Sequence, residues 1–135
     1  MEQLAKVLDS WAILAFFEGE PATEAVEKLV RQSIQDRTGL LITSVNLGEV
    51  WYSVARTRGE NAAGKAIQNV RSLDIEIIPA DWELSLQAAR FKAQNPIAYA
   101  DCFAAALAHL RGVELVTGDH EFERLQHQIH ILWVA

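Results

Sequence analysis

The stretch "YADCFAAALAHLRGVELVTGDHEF" (Tyr99–Phe122) decides the fold. Its first half has the apolar spacing of a helix, and an Arg-bearing last turn runs into Gly112, as helix ends commonly do. A short apolar run follows, "ELVT" (Glu114–Thr117), which reads as a strand. One glycine later stands Asp119, and near the start of the helix stands Asp101, the only formally charged residue between Asn95 and Arg111.

On either side the periodicity keeps alternating between short β-like runs and longer helical ones. Strands are expected at Lys6–Asp9 ("KVLD"), Leu40–Thr43 ("LLIT"), Ile75–Pro79 ("IEIIP"), Glu114–Thr117 and Ile129–Val134 ("IHILWV"). Helices are expected in "SWAILAFFEG", ending at Gly19, and in "PATEAVEKLVRQSIQDRTG", which opens with Pro21 in a favoured first-turn position and stops at Gly39. Others are expected in "NLGEVWYSVARTRG", "ENAAGKAIQNVRSL", "DWELSLQAARFKAQ" and, shorter, "HEFERLQ". Short apolar strands separated by helices imply an α/β fold, a mostly parallel central sheet of about five strands with helices on both faces. Such sheets bind ligands at the carboxyl ends of their strands.

The 135 residues suffice for one domain with a real core, and no repeat, low-complexity tract or linker divides them. Half of the residues are hydrophobic, which excludes a disordered chain. Apolar runs are broken well before about twenty residues, so no membrane-spanning segment is expected. The opening "MEQLAKVLDSWAILAFFEGEP" lacks a basic n-region and a small-residue cleavage site, and it reads as mature structure of a cytoplasmic protein. A single cysteine, Cys102, allows neither an internal disulfide nor a thiolate metal site, which fits a reducing compartment. A net charge of −6 weighs against nonspecific nucleic-acid binding, which rests on basic surface. Acids gathered around a cation are one explanation of that excess.

Four acids hold equivalent places. Asp9 ends the first strand, Asp119 follows the strand "ELVT", and Glu49 and Asp101 stand early in their helices. Each has an ordinary structural reading: Asp9 and Asp119 as helix caps, Asn46 with Glu49 at capping-box spacing, and Asp101 as a first-turn partner of the helix dipole. Together they say more, because the sheet would bring several carboxylates to one edge. Two unit charges about 4 Å apart repel by roughly 4 kcal/mol at an effective dielectric of about 20. Such a group must protonate, separate or bind a cation. Carboxylate oxygens without a competing Cys or His cluster suit magnesium or manganese rather than zinc. A pocket of this kind serves phosphoryl chemistry with water as nucleophile, and no Walker-type phosphate loop or nucleophilic triad stands out.

The ordered set "VLDSWAILAFFEGEP", "ITSVNLGEVWYSVAR", "YADCFAAALAHLRGVELVTGDHEF" and "IHILWV" resembles the PIN-domain ribonucleases, and among them the VapC-type toxins of toxin–antitoxin pairs. The resemblance covers nearly the whole chain and implies one PIN-like domain over residues 1–135. It implies metal-assisted RNA hydrolysis with magnesium or manganese, a cognate antitoxin as inhibitor, and a homodimer. Asp9, Glu49, Asp101 and Asp119 match the family's four acids. The resemblance gives Asp9, Asp101 and Asp119 the metal contacts, Glu49 the task of orienting water or completing the shell, and Thr117 a supporting hydroxyl. Two departures stand out: Trp11 where the family often has a small polar residue, and His120 where proline is frequent.

Other residues read as structure. Cys102 is a small buried hydrophobe. His109, His127 and His130 lack metal-ligand spacing with the acids. Trp82, Trp11, Phe16, Phe17, Trp51 and Tyr52 are expected to pack in the core, with an antitoxin groove as the alternative for the last five. Arg56, Arg58, Arg90 and Lys92 are the candidates for guiding an RNA backbone. The rival to a nuclease is a non-catalytic α/β interaction module whose acids serve as caps or as a structural cation site. A phospho-accepting receiver domain fits poorly, lacking paired acids after the first strands and a lysine after the last.

Overall fold

The computed structural model describes residues 5–18 and 23–135. Its strands are β1 (Lys6–Leu8), β2 (Leu40–Thr43), β3 (Ile75–Ile78), β4 (Leu115–Thr117) and β5 (Ile131–Trp133). They form one five-stranded sheet in the order β3-β2-β1-β4-β5, and every pairing is parallel. Between them run α1 (Ser10–Glu18), α2 (Thr23–Asp36), α3 (Ser44–Arg58), α4 (Glu60–Ser72), α5 (Trp82–Gln94) and α6 (Tyr99–Arg111). The segment expected to be a short final helix is a 3₁₀ helix, His120–Leu125.

Alternation along the strands sorts the core into two layers. Val7, Leu41 and Leu115 face α5, α6 and the 3₁₀ helix, packing with Phe91, Phe103 and Phe122. Leu8, Leu40, Ile42 and Val116 face the other way, onto Ala12, Ile13, Val26, Val50 and Val70 of α1 to α4. Both sheet faces are therefore covered, which is why the strands read as unbroken apolar runs. Helix α6 is buried from Cys102 through Ala108. Its alanines leave room for the backbone to lie close to the sheet and to α3.

The end of α2 and the start of α3 differ from expectation, and α6 ends where it was expected to. α2 stops at Asp36, short of Gly39, because Arg37 takes φ 56° and the Thr38 amide turns back to the Ser33 carbonyl at 3.2 Å. α3 starts two residues early, at Ser44, because Thr43 caps it by accepting from the Asn46 amide at 3.0 Å. α6 ends at Gly112 (φ 64°), where the Val113 amide reaches the Ala108 carbonyl at 3.1 Å, a common way to satisfy the last carbonyls. Gly19 and Pro21 lie outside the described residues.

Three aromatics expected in the core stand outside it. Trp51, Tyr52 and Trp82 are 36%, 44% and 73% exposed, since the apolar faces of α3 and α5 are supplied by Leu47, Val50, Leu84 and Phe91 instead. Trp11, Phe16 and Phe17 do pack against the core, half-buried.

Candidate active site

The chain passes from β1 to β2 and β3 on one side, then crosses to β4 and β5 on the other. Strand order thus reverses at β1, and in a parallel sheet the crevice beyond the strand ends opens at that reversal. Asp9 follows β1 directly and Asp119 follows β4 after Gly118, so the two carboxylates flank the crevice.

Asp9 is 1% exposed and has a partner for each oxygen. Oδ1 accepts from the Ala12 amide at 2.8 Å, capping α1, and Oδ2 accepts from the Thr117 hydroxyl at 2.5 Å. The Thr117 oxygen in turn accepts from the Asp119 amide at 3.0 Å. One buried hydroxyl therefore ties the end of β1 to the turn after β4. Asp119 also caps the 3₁₀ helix, its Oδ1 accepting from the Glu121 amide at 3.0 Å. Capping does not exhaust a carboxylate, which has lone pairs to spare.

Glu49 does not belong to a capping box. The cap of α3 is Thr43, which places Asn46 in the first turn and Glu49 in the second. Freed from that role, Glu49 Oε1 accepts from the Ser10 hydroxyl at 2.9 Å and from Asn46 Nδ2 at 3.3 Å. Asn46 is fully buried and bridges two helices: Nδ2 also donates to the Ala100 carbonyl in the first turn of α6, at 3.0 Å, and Oδ1 accepts from the Thr43 hydroxyl at 2.5 Å. That bridge sets α6 against α3 and so places Asp101 near Glu49.

Asp101 stands apart from the other three. It is half-buried in the first turn of α6, and among the described residues no hydrogen bond reaches its carboxylate. Burial pushes its pKa up to about 7, with the charges of Asp119, Glu49 and Glu121 adding to the rise. Asp9 is also raised to about 7, by burial first, against the lowering from Thr117 and Ala12, with Asp101 and Asp119 adding repulsion. Each of the four acids thus lies within the field of another. No positive side chain among the described residues offsets either rise.

The donors, carboxylates with supporting hydroxyls, suit a hard divalent cation in kind. Among the described residues no three His, Cys, Asp or Glu side chains close around one point, so an ion held here would take much of its shell from water. Cys102 is fully buried and its thiol is pushed up to about 11 by burial, which leaves it a poor nucleophile. His120, exposed beside Asp119, stacks flat on Trp133 with ring centroids 4.8 Å apart and bonds Glu123 at 2.9 Å. Arg56, Arg58, Arg90 and Lys92 are all exposed; Arg56 lies 4.9 Å over the Tyr52 ring, and Lys92 donates to the Ile97 carbonyl at 2.6 Å.

Three contributors escaped the sequence reading: Ser10, Glu121 and Asn46 as a bridge. Ser10 and Glu121 sit one and two residues from an assigned acid, and Asn46 three before Glu49, so adjacency was the available signal.

An acidic crevice at the strand-order reversal of a five-stranded parallel sheet coincides with a family match. The PIN domain model matches residues 6–128. The chain belongs to the PIN-domain family. Among solved PIN-fold structures, it is similar to VapBC2 from Rickettsia felis bound to a promoter DNA fragment, with TM-score 0.79 and 16% identity over 96% of this chain and 98% of that one. It is similar to DNA-bound VapBC from Salmonella typhimurium, with TM-score 0.76 and 19% identity over 98% and 100% of the two chains. A third is VapC20 of Mycobacterium tuberculosis, a Sarcin-Ricin loop cleaving toxin, with TM-score 0.73 and 17% identity over 88% and 93%. At such identities the likeness is one of fold. No curated protein matches the sequence significantly. No described helix is long and apolar enough to cross a membrane.

Proposed function

We propose that this PIN domain is a metal-dependent endoribonuclease of the VapC type, a single-domain cytoplasmic toxin held inactive by a cognate antitoxin. The observation that carries the reading is the Asp101 carboxylate, half-buried among three other acids with no hydrogen bond from the described residues. Desolvating a carboxylate without a partner is unfavourable, and a bound cation is the simplest compensation. Family membership adds support, as PIN-domain nucleases generally use divalent metal ions.

Asp9, Asp101 and Asp119 would hold magnesium or manganese directly or through bound water, and Glu49 would complete the set. When bound, the cation supplies charge neutralisation at the phosphodiester and a lowered pKa for water. The chain's own residues do the rest. Thr117 holds the Asp9 carboxylate in one orientation and fixes the Asp119 amide with the same oxygen. Ser10 and Asn46 aim Glu49 into the crevice from the α3 side. Glu49, which caps nothing and is held by Ser10 and Asn46, would orient an attacking water or accept its proton.

Likeness to the VapBC structures supports an antitoxin as partner, and the homodimer is carried only by the family resemblance. A non-catalytic module would draw on the caps made by Asp9 and Asp119, but Asp101 caps nothing. The test incubates purified protein with structured RNAs, with magnesium, manganese or EDTA. Cleavage that needs the metal and disappears in Asp101→Asn supports the reading; cleavage indifferent to EDTA or to that substitution overturns it.

A further inference from the structure

Gly118 lies between Thr117 and Asp119, and its Cα hydrogens face an aromatic ring. A Cβ built on Gly118 would stand 2.2 Å from Trp11 Cη2, 2.5 Å from Cζ3 and 2.6 Å from Cζ2. No side chain fits there, so the benzo edge of the indole rests on the glycine backbone itself. Gly118 has no positive φ, which removes backbone freedom as the reason for a glycine at this place. Trp11 in turn stands between Asp9 and Ala12, the two ends of the α1 cap, so its backbone is fixed with that helix end.

We infer that Trp11 is a positioning residue, a wedge that holds the Thr117–Gly118–Asp119 turn at a set distance from Asp9. Asp9 and Asp119 carry like charges and repel across the crevice, and the bonds through Thr117 fix a backbone amide and a carboxyl oxygen, not the height of the turn. A rigid ring pressed on a bare backbone supplies the missing constraint, since close-packed contacts resist compression.

The inference rests on the proposed metal site for its consequence, but the wedge can be read without metal. Trp11→Ala, Trp11→Phe and Gly118→Ala are compared by hydrogen exchange and by Mn2+ binding. In Trp11→Ala the Asp119 amide should exchange about tenfold faster or more while the Leu115 and Val116 amides keep wild-type protection. Mn2+ affinity should fall by about tenfold, the size of a lost orienting contact near a metal. Trp11→Phe should recover most of both effects. Gly118→Ala should loosen the same amide from the opposite side, because the methyl displaces the indole, and it keeps the test open if Trp11→Ala folds poorly. An unchanged Asp119 amide in both Trp11→Ala and Gly118→Ala, or one that accelerates only together with Leu115 and Val116, overturns the wedge. Wild-type protein that binds no Mn2+ while its Asp119 amide answers to Trp11 leaves the wedge standing and removes the nuclease reading instead.

Discussion

Asp9 caps one helix and Asp101 stands in the first turn of another, on opposite faces of one sheet, and burial raises both to about 7. Their surroundings are otherwise unlike. Asp9 is closed off, with the Ala12 amide on one oxygen and the Thr117 hydroxyl on the other. Asp101 is half open to the crevice and takes no hydrogen bond from the described residues. The first has two hydrogen-bond partners; the second has only the dipole of its own helix and, in the proposed function, a cation. Two carboxylates with the same shift can therefore stand for different things, and hydrogen-bond partners separate them where a pKa does not.

The largest effect should test the second half of that contrast. Asp101→Asn is expected to reduce metal-dependent RNA cleavage by more than about 100-fold, above the usual loss for an outer-shell partner. Its stability should not fall below that of wild type, as for a substitution that breaks no contact. A clear drop in its melting midpoint would break the comparison, since Asp101 would then have a structural partner.

Asp9→Ala should show the opposite balance and lose stability. The cap is worth about 1 kcal/mol. The stranded, fully buried Thr117 hydroxyl adds about 1–3 kcal/mol. Denaturant melts at matched pH would measure the sum, and a near-neutral result would mean that the cap and the Thr117 bond contribute little.

Asn46→Ala sharpens the comparison from the α6 side. It removes the donor to Ala100 and leaves the Thr43 hydroxyl without its acceptor, at a cost of about 1–3 kcal/mol. Cleavage should fall with it, because the α3–α6 bridge helps place Asp101. Full cleavage in a destabilised Asn46→Ala would separate the bridge from the site.

A smaller effect concerns pH in metal-free protein. A carboxyl at about 7 when folded, against 3.8 ordinarily, binds more protons folded than unfolded between those values. Its contribution favours the fold below 3.8 and is lost as pH rises to about 7, so stability should fall across that window. Asp101→Asn should make the decline shallower only modestly, since solvent screens a half-open group. Saturating manganese should flatten it further, and metal-free stability that rises from pH 5 to pH 8 would contradict both shifts.

Much of this was legible in the chain. β2 runs over Leu40–Thr43 as the apolar run "LLIT" implies, and the other strands lose only their outermost residues. The caps at Asp9 and Asp119 follow from short acids placed where a strand gives way to a helix. Other features were hidden for particular reasons. Asn46 beside Glu49 imitates a capping box, but Thr43 already holds the cap, and only the backbone decides which of two adjacent polar residues faces the free amides. Trp51 and Tyr52 look like core because composition does not say which side of α3 turns inward.

Alternation of short apolar strands with helices was enough to determine a parallel sheet covered on both faces, because period and burial are local properties of the residues. The four acids also stood out as candidates, since Asp9 and Asp119 follow strands and Asp101 and Glu49 lie early in their helices. Tertiary structure alone decided that β1 lies between β2 and β4, that Asn46 bridges to Ala100, and that Trp11 rests on Gly118. Those contacts join residues far apart in the chain, where no periodicity reaches, and they distinguish the acids that hold the fold together from the one that faces the crevice without a partner.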